Sequence, residues 1–292
     1  MFNFVIEIYF YFLYTVHNLF LAREVTMKHR LKAISFVCFS FFLSPLNADH
    51  IKKVTVADPI SGSRFVEYEE IDGYAITEGD IILGKITDLN QHGAVITPML
   101  GGSRWAGGIV PYEVAEDLPF RSKLAIYQAI EHWQKRSKIE FVALTTKNRL
   151  EYHDFLSFLR AEGTICASFV GRQGGKQIIE LSPRCTTMNT VHEIGHALGM
   201  WHEQSRADRD YYIRIAWENI EEEHQYNFNQ HLTDGKDYGD YDYQSIMHYG
   251  PYAFSKNGNP TITPLVDGIE IGQRNQLSEK DIEAINSMYT ER

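Results

Sequence analysis

Cysteine is scarce in this chain, three in 292 residues, and that excludes a fold stapled by a dense disulfide framework. Basic charge is also in deficit: 28 Lys and Arg face 38 Asp and Glu, for a net charge of −10. No nucleic-acid partner is expected, because phosphate recognition needs a basic face. Internal repeats and low-complexity tracts are missing, which removes solenoids and linker arrays. What is plentiful is apolar material, 44% hydrophobic and 13% aromatic residues, enough for one large or two modest cores.

The amino terminus has the layout of an export signal. Lys28, His29, Arg30 and Lys32 precede an apolar run from Ala33 to Leu43, and Leu46-Asn47-Ala48 follows as a cleavage-type sequence. Residues 1–48 are therefore expected to be a targeting segment with translation starting at Met27. The alternative is that Met1 to Ala22, interrupted by Glu7, His17 and Asn18, is a second membrane-directed segment. Export implies a secreted product with no stable membrane association after processing. Cys38 leaves with the signal, so Cys166 and Cys185 remain as one pair suited to an oxidising compartment. Two buried thiols are the alternative; a bridge closing that loop stabilises by roughly 3 kcal/mol in the chain-entropy model.

After the signal, residues 49–93 form a polar, strand-prone stretch, and 94–292 a second block behind a Gly-rich junction. Ile109 to Tyr112 reads as a strand, and Leu124, Tyr127, Ile130 and Trp133 recur at helical spacing up to about Ser137. Further strands are expected at Ile139 to Val142, Leu150 to Leu156, Ala167 to Val170 and Gln177 to Leu181. Ser278 and Asp281 have capping-box spacing ahead of Ile282, Ile285 and Met288. Strands followed by helices point to an α+β fold.

The chemistry concentrates in His192-Glu193-Ile194-Gly195-His196-Ala197-Leu198-Gly199-Met200-Trp201-His202. Two histidines four apart share one helix face and can hold one ion. Gly199 can adopt the left-handed conformation that ends the helix and brings His202 round as a third imidazole. Three neutral imidazoles with an open position suit catalytic Zn2+, whereas structural sites are closed and usually use cysteine. The added Gly and third His lower the odds of coincidence to about one in ten thousand.

This motif resembles that of the metzincin proteases, and its continuation Glu203 to Tyr211 resembles the astacin family of zinc peptidases. Ser245-Ile246-Met247-His248-Tyr249-Gly250 resembles that family's Met-turn, and Cys166-Ala167-Ser168-Phe169 its substrate edge strand. The resemblance implies a two-subdomain protease with a twisted mixed sheet, an active-site helix and one zinc at the cleft floor. It also implies that Met247 packs beneath the ligand imidazoles and that Tyr249 is an additional, displaceable zinc ligand and oxyanion donor. The expected reaction is peptide-bond hydrolysis by zinc-activated water with Glu193 as general base, on extended protein or peptide substrates paired with residues 166–169. Glu78-Gly79-Asp80-Ile81 resembles the family's latency motif, which makes residues 49–93 a propeptide with Asp80 as the zymogen switch. Maturation is expected near Gly93 to Ile96, with the new amino terminus buried beside Glu203.

Two departures modify these expectations. Lys138 stands where the family usually has a cysteine bridged to the C-terminus, so the last helix is expected to be less firmly anchored. Nothing in the sequence signals an appended module, by analogy a microbial exported protease and a monomer. The alternative class, a binding module that keeps the fold without catalysis, is disfavoured by intact Glu193, Tyr249 and all three histidines.

Overall fold

A computed structural model describes residues 52–58, 62–91, 95–96 and 103–290. The expected signal, the Met27 start and Gly93 lie outside these residues. A ten-stranded mixed sheet forms the upper layer, in the order β5-β1-β2-β3-β4-β9-β10-β8-β6-β7. Its first part is a meander of β1 (Lys52–Asp58), β2 (Gly62–Ile71), β3 (Tyr74–Thr77) and β4 (Ile81–Lys85), paired antiparallel throughout. A short helix α1 (Ile86–Gln91) follows, and β5 (Val95–Ile96) returns parallel to β1. The second part comprises β6 (Ile109–Val114), β7 (Glu140–Ala143), β8 (Phe155–Arg160), β9 (Cys166–Ser168) and β10 (Lys176–Leu181). Here β9 alone runs antiparallel to its neighbour β10, while β10-β8, β8-β6 and β6-β7 are parallel.

One expected strand moves. Leu150 to Leu156 is mostly turn, and Leu150 is 99% exposed. The strand instead starts at Phe155, where four consecutive residues from Phe155 to Phe158 are buried, as a strand covered on both faces requires. Asp154 ends the preceding turn by accepting from Gly175 N at 2.7 Å and pairing with Arg172.

Two helices cover this sheet. The first, α2 (Phe120–Arg136), buries Ala125, Ile126, Ala129, Ile130 and Trp133, so Leu124 and Tyr127 of the expected stripe face outward at 44% and 51% exposure. The alanines let α2 approach α3 (Thr187–Leu198), and Trp133 Nε1 donates to Val191 O at 3.0 Å between them. The capping box expected near the C-terminus is present: Ser278 and Asp281 close the start of α4 (Glu279–Met288).

Below α3 the chain is irregular. Residues 200–277 form short turns and a two-stranded sheet of β11 (Ile213–Ile215) and β12 (Ile262–Pro264). A separate apolar cluster of Ile213, Ile220, Phe228, Tyr241, Tyr249, Ile262 and Ile271 supports this half. The architecture is thus the expected α+β pair of subdomains. The last helix is held by noncovalent contacts. Lys138 N donates to Asn286 Oδ1 at 2.9 Å, Arg136 pairs with Glu279 at 2.7 Å, and Tyr289 donates to Leu198 O at 2.9 Å.

Candidate metal centre

The helix α3 starts where Thr186 and Asn189 form a reciprocal capping box, and it stops at Gly199, whose φ is 111°. A residue with a Cβ is strained in that left-handed region, which is why glycine ends the helix here. From Thr190 to Leu198 every helical residue is buried. Beyond Gly199 the chain turns back and delivers His202 to the face that carries His192 and His196. Cys166 and Cys185 form the disulfide, tying β9 to the residue just before the α3 cap.

Three imidazoles converge. His196 Nε2 lies 3.1 Å and His202 Nε2 3.3 Å from His192 Nε2. The Asp80 carboxylate closes the group, 3.2 Å from His192, 3.4 Å from His196 and 3.3 Å from His202. Ligand atoms about 2.0–2.1 Å from a tetrahedral zinc stand about 3.3 Å from one another, and the observed spacings match. The outer nitrogens are all engaged: His192 Nδ1 with Ile246 O at 2.8 Å, His196 Nδ1 with Met200 O at 2.8 Å, and His202 Nδ1 with Glu78 Oε2 at 2.9 Å. Such contacts fix the ring orientations and leave each Nε2 for the metal.

Unsatisfied atoms point the same way. Asp80 Oδ1 and Glu193 Oε2 are buried without hydrogen-bond partners, which a buried carboxylate oxygen tolerates only when an ion or water serves it. Burial pushes His192 down to about 3 and lowers His196, keeping both neutral as ligation requires. Burial works against charge on His202 too, but the Asp80 and Glu78 carboxylates outweigh it and hold that ring up at about 9. The centre thus calls for positive charge among its imidazoles. Three histidine nitrogens and one carboxylate oxygen are a zinc donor set.

The remaining expected residues gather around it. Glu193 is 2% exposed beside His192, and burial followed by the Asp80 charge raises its pKa. Met247 is fully buried, and a Cβ built on Gly195 would lie 2.8 Å from its sulfur, so it packs directly under the helix. Tyr249 sits with its ring 4.6 Å from that of His202, and its hydroxyl donates to Glu78 O at 2.5 Å. The strand expected to be the substrate edge lies within the sheet: Ile81 of β4 pairs parallel with Ser168, and Ser168 N donates to Asp80 O at 3.0 Å. Ala167 and Ser168 are buried, and Phe169 packs with Ile76, Ile82 and Ala167. Glu203 is half-buried, accepts from Asp242 N at 2.7 Å and is pushed up to about 8 by desolvation. It borders a cavity of about 230 Å³ shared with Arg206, His231 and Met288.

Some participants escaped the sequence reading. Asp281 caps α4, yet its carboxylate also accepts from Ser245 Oγ at 2.6 Å and Ile246 N at 2.9 Å, holding the Met-turn. Glu78 carries a positive φ of 47° and reaches His202 and His231. Its place two residues before Asp80 was the available signal; His231 offered none, and Asp281 only that of a helix cap.

The sequence model of the astacin peptidase family matches residues 100–290. The chain belongs to the astacin family. Zinc metalloproteinase nas-13 of Caenorhabditis elegans is 40% identical over 189 residues, covering 64% of this chain and 41% of that protein. Protein SpAN of Strongylocentrotus purpuratus is 41% identical over 194 residues, and this chain spans only 31% of its length. Zinc metalloproteinase nas-4 of Caenorhabditis elegans is 36% identical over 226 residues, 73% of this chain and 68% of that protein. The solved structure of high choriolytic enzyme 1, a hatching enzyme zinc-protease from Oryzias latipes, aligns with a TM-score of 0.57 at 38% identity. That alignment covers 65% of this chain and 94% of the structure. These relatives are animal proteins, and they give the microbial analogy no support.

Proposed function

We propose that this astacin is an exported zinc endopeptidase made as a latent precursor, with residues 49–93 sealing the cleft. The observation that carries this reading is the position of the Asp80 carboxylate, 3.2–3.4 Å from all three histidine Nε2 atoms, while β4 covers the edge strand. A carboxylate at that point stands where a water or substrate carbonyl must come, so the catalytic position is filled by the chain itself. Zinc, when held by His192, His196 and His202, supplies a Lewis acid and brings the pKa of water towards about 7.

The chain's own residues do the rest. Glu193, unpartnered at Oε2, takes the proton from the attacking water and passes it to the leaving amine. Tyr249, released from Glu78 O, donates its hydroxyl to the developing oxyanion. With β4 gone, residues 166–169 offer free backbone groups to which an extended protein or peptide substrate adds as a strand. Trimming frees an amino terminus that turns into the cavity beside Glu203. Among the described residues no helix is long and apolar enough to cross a membrane, and the signal-type residues 28–48 direct export.

The test compares untrimmed and trimmed protein on casein. Trimming should raise hydrolysis, phenanthroline should abolish it, and Asp80→Ala should make the untrimmed precursor active. A precursor no less active than its trimmed form would overturn latency, and zinc-replete trimmed protein without hydrolysis would overturn the activity.

A further inference from the structure

The Glu78 carboxylate enters a pocket built by residues on the far side of the zinc. Oε2 meets His202 Nδ1 at 2.9 Å and accepts from Ser205 Oγ at 3.1 Å, while Oε1 meets His231 Nε2 at 2.5 Å. His231 is held from behind by Asp234, 2.9 Å from its Nδ1, and its ring stacks on Trp201 at 3.9 Å between centroids. All the groups touching the carboxylate are buried: His202 at 1%, Ser205 at 0% and His231 at 8% exposure, with Glu78 itself at 5%. Three converging donors around two oxygens are a saturated carboxylate-binding cradle, not a chance surface pairing.

The backbone says the same. Glu78 adopts a left-handed φ of 47°, which a non-glycine residue keeps only where its surroundings over-determine it. Gly79 follows at φ 75°, and a Cβ there would stand 3.0 Å from the Phe254 ring. Two successive left-handed residues thus turn the chain so that Glu78 points into the lower half and Asp80 to the histidines. An isolated acidic residue would not be buried in this way, because an unpaired buried carboxylate is strongly disfavoured.

We propose that Ser205, His231–Asp234 and the outer nitrogen of His202 form a carboxylate-binding site whose occupant is Glu78, a second anchor of the 49–93 segment that does not need the metal. It rests on the latency reading only for its effect on activity. Asp80 reaches the histidines from the catalytic side, where the imidazoles and, when bound, zinc hold it together. Glu78 grips protein groups alone, chiefly His231 and Ser205, so its hold persists when zinc is removed.

The experiment uses the full chain with Glu78→Gln, His231→Gln, both together, and Asp80→Ala. Hydrogen exchange is followed at the amides of Ile81, Ile82 and Leu83, in zinc-loaded protein and after stripping with chelator. Glu78→Gln should accelerate exchange at least tenfold in both forms, whereas the effect of Asp80→Ala should be larger in the zinc-loaded form than in the stripped one. The double variant should match Glu78→Gln, since that substitution already removes the contact that His231→Gln breaks. On a fluorogenic peptide, Glu78→Gln should raise the untrimmed-to-trimmed activity ratio at least tenfold. Unchanged exchange in stripped Glu78→Gln, with Asp80→Ala behaving as expected, would overturn the anchor. If Glu78→Gln fails to accumulate, His231→Gln reads the same contact from its other partner. Should untrimmed and trimmed wild type be equally active, latency fails while the exchange result still decides the anchor.

Discussion

Replacing Asp281 with alanine tests how α4 supports the metal site. Its carboxylate is 2% exposed and accepts from Ser245 Oγ, Ile246 N and Ser278 N at 2.6–2.9 Å. The Ile246 carbonyl in turn meets His192 Nδ1 at 2.8 Å, so one residue links the helix cap to a zinc ligand. Hydrogen bonds to a charged acceptor contribute roughly 1.5–3 kcal/mol each, and a buried donor left unmatched costs about 1–3 kcal/mol. Burial offsets part of this, because desolvation raises the Asp281 pKa and its charge is already disfavoured. The Ser245 hydroxyl can turn to another acceptor, whereas the two backbone N–H groups cannot. A net loss of about 3 kcal/mol follows, or roughly 6–12 °C in Tm for a domain of this size. Because Ile246 orients His192, zinc affinity should fall about tenfold, the lower end for outer-sphere partners of metal ligands. Asp281→Asn keeps one acceptor oxygen and should fall between. Differential scanning fluorimetry and a competitive zinc titration give both numbers. A Tm change under about 2 °C with unaltered zinc affinity would refute the reasoning.

Glu193→Ala should abolish peptide hydrolysis while elemental analysis still finds one zinc per chain; substantial turnover in that variant would remove Glu193 from its assigned role. Replacing both Cys166 and Cys185 by alanine should lower the unfolding free energy by about 3 kcal/mol in the chain-entropy model, read from urea denaturation. His231 carries a pH signature: burial opposes its charge, but Glu78 and Asp234 outweigh this and raise it from 6.5 to about 9. A folded pKa above the unfolded one adds stability that is complete below about pH 6.5 and disappears as pH rises through about 9. The full chain should therefore lose urea resistance over that window relative to His231→Gln, and removing Glu78 should shrink the difference.

Much of the fold could be read in advance because local chemistry and tertiary need agree. The Ser278–Asp281 cap, the helix ending at Ser137 and the strand at Ile109 each follow from patterns that the packing does not contest. Disagreement arises where packing overrides pattern. Leu124 and Tyr127 fit a helical apolar stripe, yet the helix buries Ala125, Ile126, Ala129, Ile130 and Trp133 instead, and Trp133 meets α3. Leu150 looks like a strand residue, but the Asp154–Gly175 bond and the Arg172 pair start β8 only at Phe155. A one-dimensional pattern carries no record of either partner.

The site divides along the same line. His192, Glu193, His196 and Gly199 lie within one helix and its stop, so sequence spacing is spatial spacing and the motif is legible. His202 follows because a single left-handed residue fixes the direction of return. Asp80 lies 112 residues from His192, and only its likeness to a known motif brought it forward; nothing in residues 77–82 by themselves requires a metal. Asp281, His231 and Asp234 are harder still. Each is a common polar residue whose role is set by a partner 36 to 153 positions away, or, for Asp234, by the histidine it steadies. Burial of such groups is tolerated only in company, and the company is a property of the folded chain. The outer contacts of this centre therefore become visible only with coordinates.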